Sequence, residues 1–171
     1  DCGMYQGKGL ETDGMNRNLG FDPVDIDHII ISHAHIDHSG LIPYVYKLGF
    51  RGSVVCTNAT RDLCAIMLAD SGHIQENDVE KFNRRRIARG EKPVKPIYTK
   101  KDACACMKLF IGVAYNRRFR IDDTTNVKFT NTGHMLGSGV VSLEITEQGK
   151  TTRLAYTSDI GRPKSHILKS P

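Results

Sequence analysis

The chain has 171 residues, of which 39% are hydrophobic and 25% are charged, as is typical of one globular domain. This composition excludes a disordered, collagen-like or low-complexity chain. Lysine and arginine outnumber aspartate and glutamate by 24 to 19, and the resulting net charge of +5 is compatible with a polyanionic partner without being diagnostic of one.

Nothing in the sequence predicts insertion into a membrane. The longest strongly apolar stretch is Ile29 to Ile31, far below the roughly 18 residues of a membrane-spanning helix, and no basic-then-apolar leader precedes Asp1. The five cysteines form an odd number without the spacing of a disulfide framework, which favours free thiols in a reducing compartment. We therefore expect a soluble, cytoplasmic protein with no membrane partner.

The first part of the chain alternates predicted strands with predicted helices. Three consecutive isoleucines mark the first strand, and apolar residues at positions i, i+3, i+4 and i+7 mark the first helix. A second helix is expected after Thr57 or Asn58, either of which would serve as its cap. The predicted elements are a loop at 1–23, a buried strand at 27–32, a polar loop at 33–40, a helix at 41–48 and a strand at 52–56.

The second part of the chain changes from helical to strand periodicity. The polar segment 76–89 predicts a helix that is surrounded by solvent or covers a neighbour outside this sequence. Thr99 and Asp102 have the spacing of a capping box. The helix that follows would share one face between Ala103, Cys106, Met107 and Phe110. Strands are predicted at 127–130, 140–146 and 151–158, the last two joined by a turn at 147–150. Without repeats or linkers, the sequence predicts one mixed α and β domain over 1–171.

The outstanding feature of the sequence is His-Ala-His-Ile-Asp-His at 33–38, which holds three of the seven histidines around one aspartate. Composition alone would produce such a pattern on the order of once in a thousand sequences. On a helix His33 and His35 would point in nearly opposite directions, whereas a loop after a buried strand can aim these side chains inward. Imidazoles with a carboxylate suit zinc best, with iron or manganese as alternatives. The competing interpretation is a solvated loop, in which clustered histidines would repel one another when protonated.

Two single residues elsewhere have the surroundings of additional metal ligands. His134 lies in a glycine-rich turn between two predicted strands, and Asp159 follows the last predicted strand just before Gly161. Considered alone, His134 would more often be structural, and Asp159 would more often be an N-cap or turn residue. Their interpretation as ligands depends on their occurring together with the segment 33–38.

Together these segments resemble the motifs of the metallo-β-lactamase superfamily. Residues 33–38, 133–138 and 158–162 look like its second, third and fourth motifs in the correct order, and Asp1-Cys2-Gly3 looks like the first. Residues 39–43, which follow the second motif, and the form Ser-Asp-Ile-Gly-Arg of the fourth are similar to the β-CASP branch of nucleic-acid nucleases. The resemblance covers essentially the whole chain.

The resemblance implies an α+β fold, the metallo-β-lactamase-like four-layer αββα sandwich. In the family a strand precedes the first motif, and a capping domain and a returning segment with a final His ligand follow the fourth. The chain would therefore hold part of the catalytic domain, and its sandwich would be incomplete. On this basis we expect this span alone to be inactive and to expose an apolar face through which it associates, for example as a homo-oligomer.

The resemblance also implies roles for the site residues. The ligands would be His33, His35 and His134 for one metal, Asp37 and His38 for the other, and Asp159 between both. Asp1 would accept a hydrogen bond that orients a ligand imidazole. A complete site would take two Zn²⁺, with Mn²⁺ or Fe²⁺ as alternatives, and would hold a hydroxide that Asp37 helps to orient or deprotonate.

The function that the resemblance implies is that of a metal-dependent phosphodiesterase that cleaves RNA. Two alternatives stay open. One is another hydrolase of the superfamily, acting on a thioester, lactone or β-lactam, because the metal loop itself does not choose the substrate. The other is a non-catalytic RNA-processing subunit with the same fold, although such a protein would be expected to have lost ligands.

Several further polar residues are weaker candidates. Cys104 and Cys106 would point about 200° apart on a helix, so inert thiols are favoured over a metal site. His28, His73 and His166 match no ligand position and are expected to be structural or exposed. A group of basic residues would suit phosphate contacts, although a solvated surface is the favoured interpretation. These are Arg84, Arg85, Arg86, Arg89, Lys92 and Lys95, with Arg117, Arg118 and Arg120.

Overall fold

Two β-sheets form the centre of the computed structural model, which describes residues 1–7, 10–165 and 167–171. The parallel sheet has the order β1-β2-β3, with strands at His28–Ile30, Ser53–Thr57 and Phe110–Val113. The antiparallel sheet has the order β4-β5-β6-β7, with strands at Phe119–Arg120, Thr125–Asn131, Gly139–Glu147 and Lys150–Tyr156.

Helices cover one face of the parallel sheet. They are α2 (Ile36–Ser39), α3 (Ile42–Lys47), α4 (Asn58–Ala88) and α5 (Lys100–Cys106), with a 3₁₀ turn at Met107–Leu109. Helix α1 (Leu10–Arg17) and a 3₁₀ turn at Pro23–Asp25 precede the first strand. Val45 of α3, Leu68 of α4 and Ala103 of α5 belong to the core cluster beneath this face. In the described part of the chain, no helix combines the length and the apolar character that crossing a membrane requires.

Strand β2 separates the two cores of the molecule because its side chains alternate between its faces. Val54 and Cys56 point to the helices and pack in the first core, whereas Val55 points to the antiparallel sheet and packs with Val127 and Phe129. The layers are therefore helices, parallel sheet and antiparallel sheet. Every residue of β7 is exposed. The predicted α+β class is confirmed, with three layers of the incomplete sandwich in the described residues.

The prediction of loop throughout 1–23 is wrong, because residues 10–17 form helix α1. Asn16, only 4% exposed, fastens this helix to the preceding segment: its side chain accepts from the Tyr5 backbone N–H at 2.8 Å and donates to the Tyr5 carbonyl at 3.0 Å. Asp13 and Arg17 add an ion pair at 2.8 Å. These contacts outweigh the low helix propensity of the glycine-rich composition. Within the predicted loop, Lys8 and Gly9 lie outside the described residues.

The predicted start of α5 is confirmed and its predicted end is wrong. Thr99 Oγ1 accepts from the Asp102 N–H at 3.2 Å, and Asp102 Oδ2 accepts from the Thr99 N–H at 2.9 Å, which completes the capping box. The helix ends at Cys106, however, and Phe110 begins β3, where it pairs with Val54. Pairing with β2 thus overrides the helical spacing of Phe110.

The predicted hairpin is confirmed between β6 and β7. Glu147 pairs with Lys150, which leaves a two-residue turn at Gln148 and Gly149. Their φ angles are 51° and 76°, the left-handed values of a type I′ turn. This turn matches the twist of the two strands and fixes their register.

Helix α4 is one continuous helix of 31 residues, so the polar segment 76–89 forms most of its second half. It begins at a side-chain cap, where Thr57 Oγ1 accepts from the Thr60 N–H at 3.2 Å. Its buried residues, Thr60, Cys64, Leu68 and Gly72, all lie in its first half. The first half therefore belongs to the core, whereas the second half extends beyond it.

Cysteine labelling should distinguish one exposed thiol from four protected ones. Burial raises the pKa of Cys64 and of Cys106 to about 12 and that of Cys2 to about 11, and it also raises the pKa of the buried Cys56. Cys104 is exposed. At neutral pH, iodoacetamide should therefore modify Cys104 well before the others, because the thiolate is the reactive form.

Peptide mass mapping of timed samples would measure these rates. All five cysteines should react in denaturant, which serves as the control. Rapid alkylation of Cys64 or Cys106 in the native protein would show that the packing of α4 on α5 is incorrect.

Candidate metal centre

The segment 33–38 leaves the parallel sheet at the carboxyl end of β1. The Ile31 N–H still donates to the Val55 carbonyl at 2.9 Å, so the direction of the strand is kept up to this point. The chain then turns, and the single helical turn α2 carries Asp37 and His38. The order of strand, polar loop and helix places the predicted ligands at the edge of the sheet.

His134 lies in the loop between β5 and β6, which is fixed to the start of α4. The hydroxyls of Thr57 and Thr60 both donate to the Gly137 carbonyl, at 2.7 and 3.0 Å. Gly137 has a φ of +87°, and an added Cβ would lie 2.6 Å from the Thr60 nitrogen. Glycine is therefore required here, both for the backbone conformation and for the close approach to α4.

Asp159 follows β7 in a loop that contacts the His134 loop directly. Ser158 has a φ of 54°, a left-handed value at which the chain turns after the strand. The Gly161 N–H donates to the Thr132 carbonyl at 2.8 Å. A Cβ on Gly161 would lie 1.9 Å from the Gly133 carbonyl oxygen, so the two loops meet at a distance that only glycine allows.

Four of the predicted ligands converge on one point. His33, His35, His134 and Asp159 each offer a ligand atom, and these atoms all lie within 4.8 Å of one another. His35 Nδ1 is 3.1 Å from His33 Nε2 and 3.2 Å from His134 Nε2. Asp159 Oδ2 is 3.3 Å from His134 Nε2 and 3.8 Å from His33 Nε2.

The remaining two predicted ligands lie beside this group. His38 Nε2 is 3.9 Å from Asp37 Oδ2 and 3.8 Å from Asp159 Oδ2. The same oxygen of Asp159 thus faces imidazoles of both predicted ligand sets. The side chain of Asp37 is 47% exposed, so this second set opens to solvent. The structure brings all six residues together, and their role as ligands stays a prediction.

The donor set fits a transition metal such as zinc. Burial, and then the nearby imidazoles of His38, His35 and His134, lower the pKa of His33 to about 4, so this imidazole is neutral at pH 7. His35 Nδ1 faces two other ring nitrogens, and one proton cannot serve both contacts. A cation at the centre can accept lone pairs from all three rings. Imidazole nitrogens and carboxylate oxygens are both usual zinc ligands in proteins.

The six predicted ligands are here called the ligand group. Asp1 lies behind His38, one member of this group, and fixes its orientation. Asp1 Oδ2 lies 2.7 Å from His38 Nδ1, which leaves Nε2 facing Asp37 and Asp159. Tyr156 Oη donates to the same oxygen at 2.9 Å. This contact to the imidazole of a predicted ligand is the one that the predicted role of Asp1 requires.

Three residues of this surrounding network were not identified from the sequence. Ser32 Oγ donates to Asp1 Oδ2 at 2.7 Å and lies 3.1 Å from His33 Nδ1. Ser158 Oγ lies 2.7 Å from Ser32 Oγ, and Tyr156 is the third member. Ser32 directly precedes the second motif and Ser158 is the first residue of the fourth, and these positions are a usable signal in the sequence. The sequence gives no such signal for Tyr156, because the role of this residue depends on where β7 ends in space.

The other histidines in the described residues lie outside the ligand group. His28 Nδ1 is 2.8 Å from Ser53 Oγ on the neighbouring strand, and His73 Nε2 is 3.0 Å from Asn77 Nδ2 one turn along α4. These contacts agree with the structural or exposed roles expected for them. His166 lies outside the described residues.

Ser32→Ala is expected to weaken metal binding about tenfold to a hundredfold, the usual effect of removing a partner of a ligand imidazole. The hydroxyl accepts from His33 Nδ1–H when His33 presents Nε2 to the metal, and it donates its own hydrogen bond to Asp1 Oδ2. Zinc affinity can be measured by competition with a chromophoric chelator. Ser53→Ala removes a serine contact to His28 instead and should leave the affinity unchanged. Equal affinities for the two variants would contradict the role of Ser32.

A sequence profile described as the metallo-beta-lactamase superfamily matches residues 1–114. The chain belongs to the metallo-β-lactamase superfamily. The matched range includes the segment 33–38, and the loops of His134 and Asp159 follow it in the order of the later superfamily motifs.

Relatives of this superfamily member match most or all of its length. A transcription termination factor FttA from Methanocaldococcus jannaschii is 36% identical over 149 residues, which cover 87% of this chain and 21% of that protein. Ribonuclease TTHA0252 from Thermus thermophilus is 29% identical over 171 residues, covering 100% and 34% respectively. Integrator complex subunit 11 from Danio rerio is 27% identical over 175 residues, covering 98% and 26%.

The resemblance identified from the motifs, to the metallo-β-lactamase superfamily and its β-CASP branch, is confirmed. The chain spans about a fifth to a third of the length of these relatives. Membership of the superfamily and the His and Asp donor group together imply a site for metal ions.

Proposed function

We propose that this chain forms the metal-binding part of a ribonuclease that hydrolyses phosphodiester bonds of RNA. The observation that carries the proposal is the convergence of three imidazoles and a carboxylate within 4.8 Å in a metallo-β-lactamase superfamily member. A relative named as a ribonuclease aligns with the whole chain, which supports the same chemistry here. The chain would be one part of a larger metallo-β-lactamase-like domain.

The proposed ligands are His33, His35 and His134 for one ion, Asp37 and His38 for the other, and Asp159 for both. Zinc is the proposed metal, with Mn²⁺ or Fe²⁺ as alternatives, because neutral imidazoles and carboxylate oxygens suit these ions. When bound, the ions would lower the pKa of a water molecule toward about 7 and neutralise charge on the attacked phosphate.

The side chains around the ligands would hold the site in one arrangement. Asp1 accepts from His38 Nδ1–H and so presents Nε2 of that ring to the site. Ser32 does the same for His33 through Nδ1. Asp37 is half exposed at the open side, where its carboxylate would accept a proton from the attacking water. His33 is fully buried on the sheet side, so RNA would approach from the side of Asp37.

Asp37→Ala is expected to lower RNA cleavage by about a hundredfold or more, because this change removes both a ligand and a proton acceptor. The assay follows a labelled single-stranded RNA with zinc present. Because this chain spans 34% of the Thermus ribonuclease, cleavage is measured on the longest protein that contains the sequence. Asp62→Ala is the matched control, since Asp62 pairs with Arg61 on the exposed surface. Unchanged cleavage by Asp37→Ala would contradict the proposal.

The same preparation separates the proposal from its alternatives. Hydrolysis of a thioester, lactone or β-lactam without hydrolysis of RNA would favour another hydrolase of the superfamily. RNA binding without any hydrolysis would favour a non-catalytic subunit.

We also propose a cytoplasmic location, which the five free thiols support. We further propose that the chain associates through the exposed strand β7.

A further inference from the structure

The second half of α4 and the segment after it carry an unusual concentration of positive charge. Residues 80–95, here called the basic arm, contain seven basic and two acidic residues, a net charge of +5. The whole chain also has a net charge of +5, so the rest of the molecule is neutral overall. The basic residues are Lys81, Arg84, Arg85, Arg86, Arg89, Lys92 and Lys95.

Specific hydrogen bonds hold the two segments of the basic arm together. After α4 ends, the chain turns at Gly90, where φ is +74°, and runs back beside the helix. Asn83 accepts from the Val94 N–H and donates to the Val94 carbonyl, both at 2.8 Å, and Arg86 Nε donates to the Lys92 carbonyl at 2.8 Å. This arrangement gathers like charges, which opposes folding rather than favouring it.

Acidic neighbours compensate only part of this charge. Glu80 pairs with Arg84 at 2.6 Å, and Glu91 pairs with Arg86 at 2.9 Å. Within the described residues, Arg85, Arg89 and Lys92 form no salt bridge, and all three side chains are exposed. These three cations are therefore available to an anionic partner.

An exposed aromatic ring lies among these charges. Phe82 is 47% exposed, and the Arg86 guanidinium carbon lies 5.6 Å from the centroid of its ring. Basic side chains beside an aromatic face are the combination that binds single-stranded nucleic acid, because phosphates pair with the cations while a base stacks on the ring. A purely acidic peptide would pair with the cations but would place no base on the Phe82 ring.

We propose that the basic arm binds the backbone of single-stranded RNA at a distance from the metal centre, with a base stacked on Phe82. The choice of RNA rests on the proposed function. Helix α4 begins where Thr57 contacts the His134 loop, and its 31 residues span about 46 Å at 1.5 Å per residue. The arm begins 22 residues after Asn58, so it starts about 33 Å along the helix axis from that contact.

A triple variant tests the charges of the basic arm. Arg85→Gln, Arg89→Gln and Lys92→Gln together remove three exposed cations and keep the hydrogen bonds of Asn83 and Arg86. The control carries Lys101→Gln, Lys128→Gln and Lys150→Gln, which remove three exposed cations elsewhere. Fluorescence anisotropy of a labelled single-stranded RNA, with EDTA present, measures binding without cleavage at several salt concentrations.

The arm variant is expected to bind RNA at least about tenfold more weakly than the wild type. The slope of log K against log salt should become smaller by about 2, because each of the three lost phosphate contacts contributes about 0.7. The control should change by less than twofold. Equal losses in the two triple variants would overturn the proposal. Circular dichroism of both variants checks that helix content is kept.

Phe82→Leu tests the choice of ligand class. It should weaken RNA binding about fivefold or more, as expected for loss of one stacked base, and leave binding of polyglutamate unchanged. An equal effect on polyglutamate would point to an acidic protein partner and overturn the assignment to RNA. Because binding is measured in EDTA, arm-dependent RNA binding by a wild-type protein that does not cleave RNA would contradict only the proposed function. Normal RNA binding by the arm variant in an active ribonuclease would contradict only this inference.

Discussion

Asp159→Ala is expected to release metal from both ligand sets and to lower RNA cleavage by about a thousandfold or more. A single oxygen, Oδ2, lies 3.3 Å from His134 Nε2 and 3.8 Å from both His33 Nε2 and His38 Nε2. Removing it leaves Asp37 as the one carboxylate among the proposed ligands, which is too little negative charge to balance two cations. Active-site residues that act on one reaction as a unit depend on one another, so removing one of them abolishes most of the catalytic effect of all. The expected loss of cleavage is therefore large.

Elemental analysis of the gently purified chain measures the metal content, and titration with zinc measures what the variant can still bind. Asp62→Ala removes a carboxylate that is 68% exposed and paired with Arg61, so it should retain metal and activity. Retention of two metal ions per chain by Asp159→Ala would show that Asp159 does not bridge the two sets.

Gly161→Ala is expected to lower metal affinity and activity by about a hundredfold and stability by about 1–3 kcal/mol. The added Cβ would lie 1.9 Å from the Gly133 oxygen and 2.5 Å from the His134 nitrogen, so backbone must move on both sides. Asp159 lies two residues before this contact. The displacement should separate Asp159 from His134 by moving the two loops apart.

Thermal unfolding and zinc titration of the same preparations test this expectation. Gly14→Ala is the matched control, because Gly14 lies in α1 with no atom within 4 Å of an added Cβ. It should stabilise the protein slightly, by about 0.5–1 kcal/mol, and leave zinc binding unchanged. Wild-type zinc affinity in Gly161→Ala would mean that the loops can separate without disturbing the site.

Features that depend on neighbours in the chain were predictable from the sequence. The capping box of Thr99 and Asp102, the turn at Gln148 and Gly149, and the strand around Ile29 follow local rules that the structure obeys. The segment 33–38 was predictable as a site because histidine and aspartate at this density have few other uses, whereas His134 and Asp159 were predicted as ligands only together with it and through the resemblance to the superfamily motifs.

Features that depend on distant contacts were not predictable in the same way. Helix α1 exists because Asn16 bonds to the backbone of Tyr5, a contact that no local propensity describes. Phe110 belongs to a strand because Val54 is beside it. The hydroxyl of Tyr156 reaches Asp1 only once the sheet carrying β7 has packed, so its role is visible only in three dimensions.

The three loops of the ligand group come from opposite ends of the sequence and from both sheets. Contacts of such long sequence separation form late in folding, because closing the intervening chain costs entropy before any contact is gained. The predicted ligands therefore come together only after the two sheets have docked. Metal binding then stabilises the docked state alone, so metal availability would set the apparent stability of the whole arrangement.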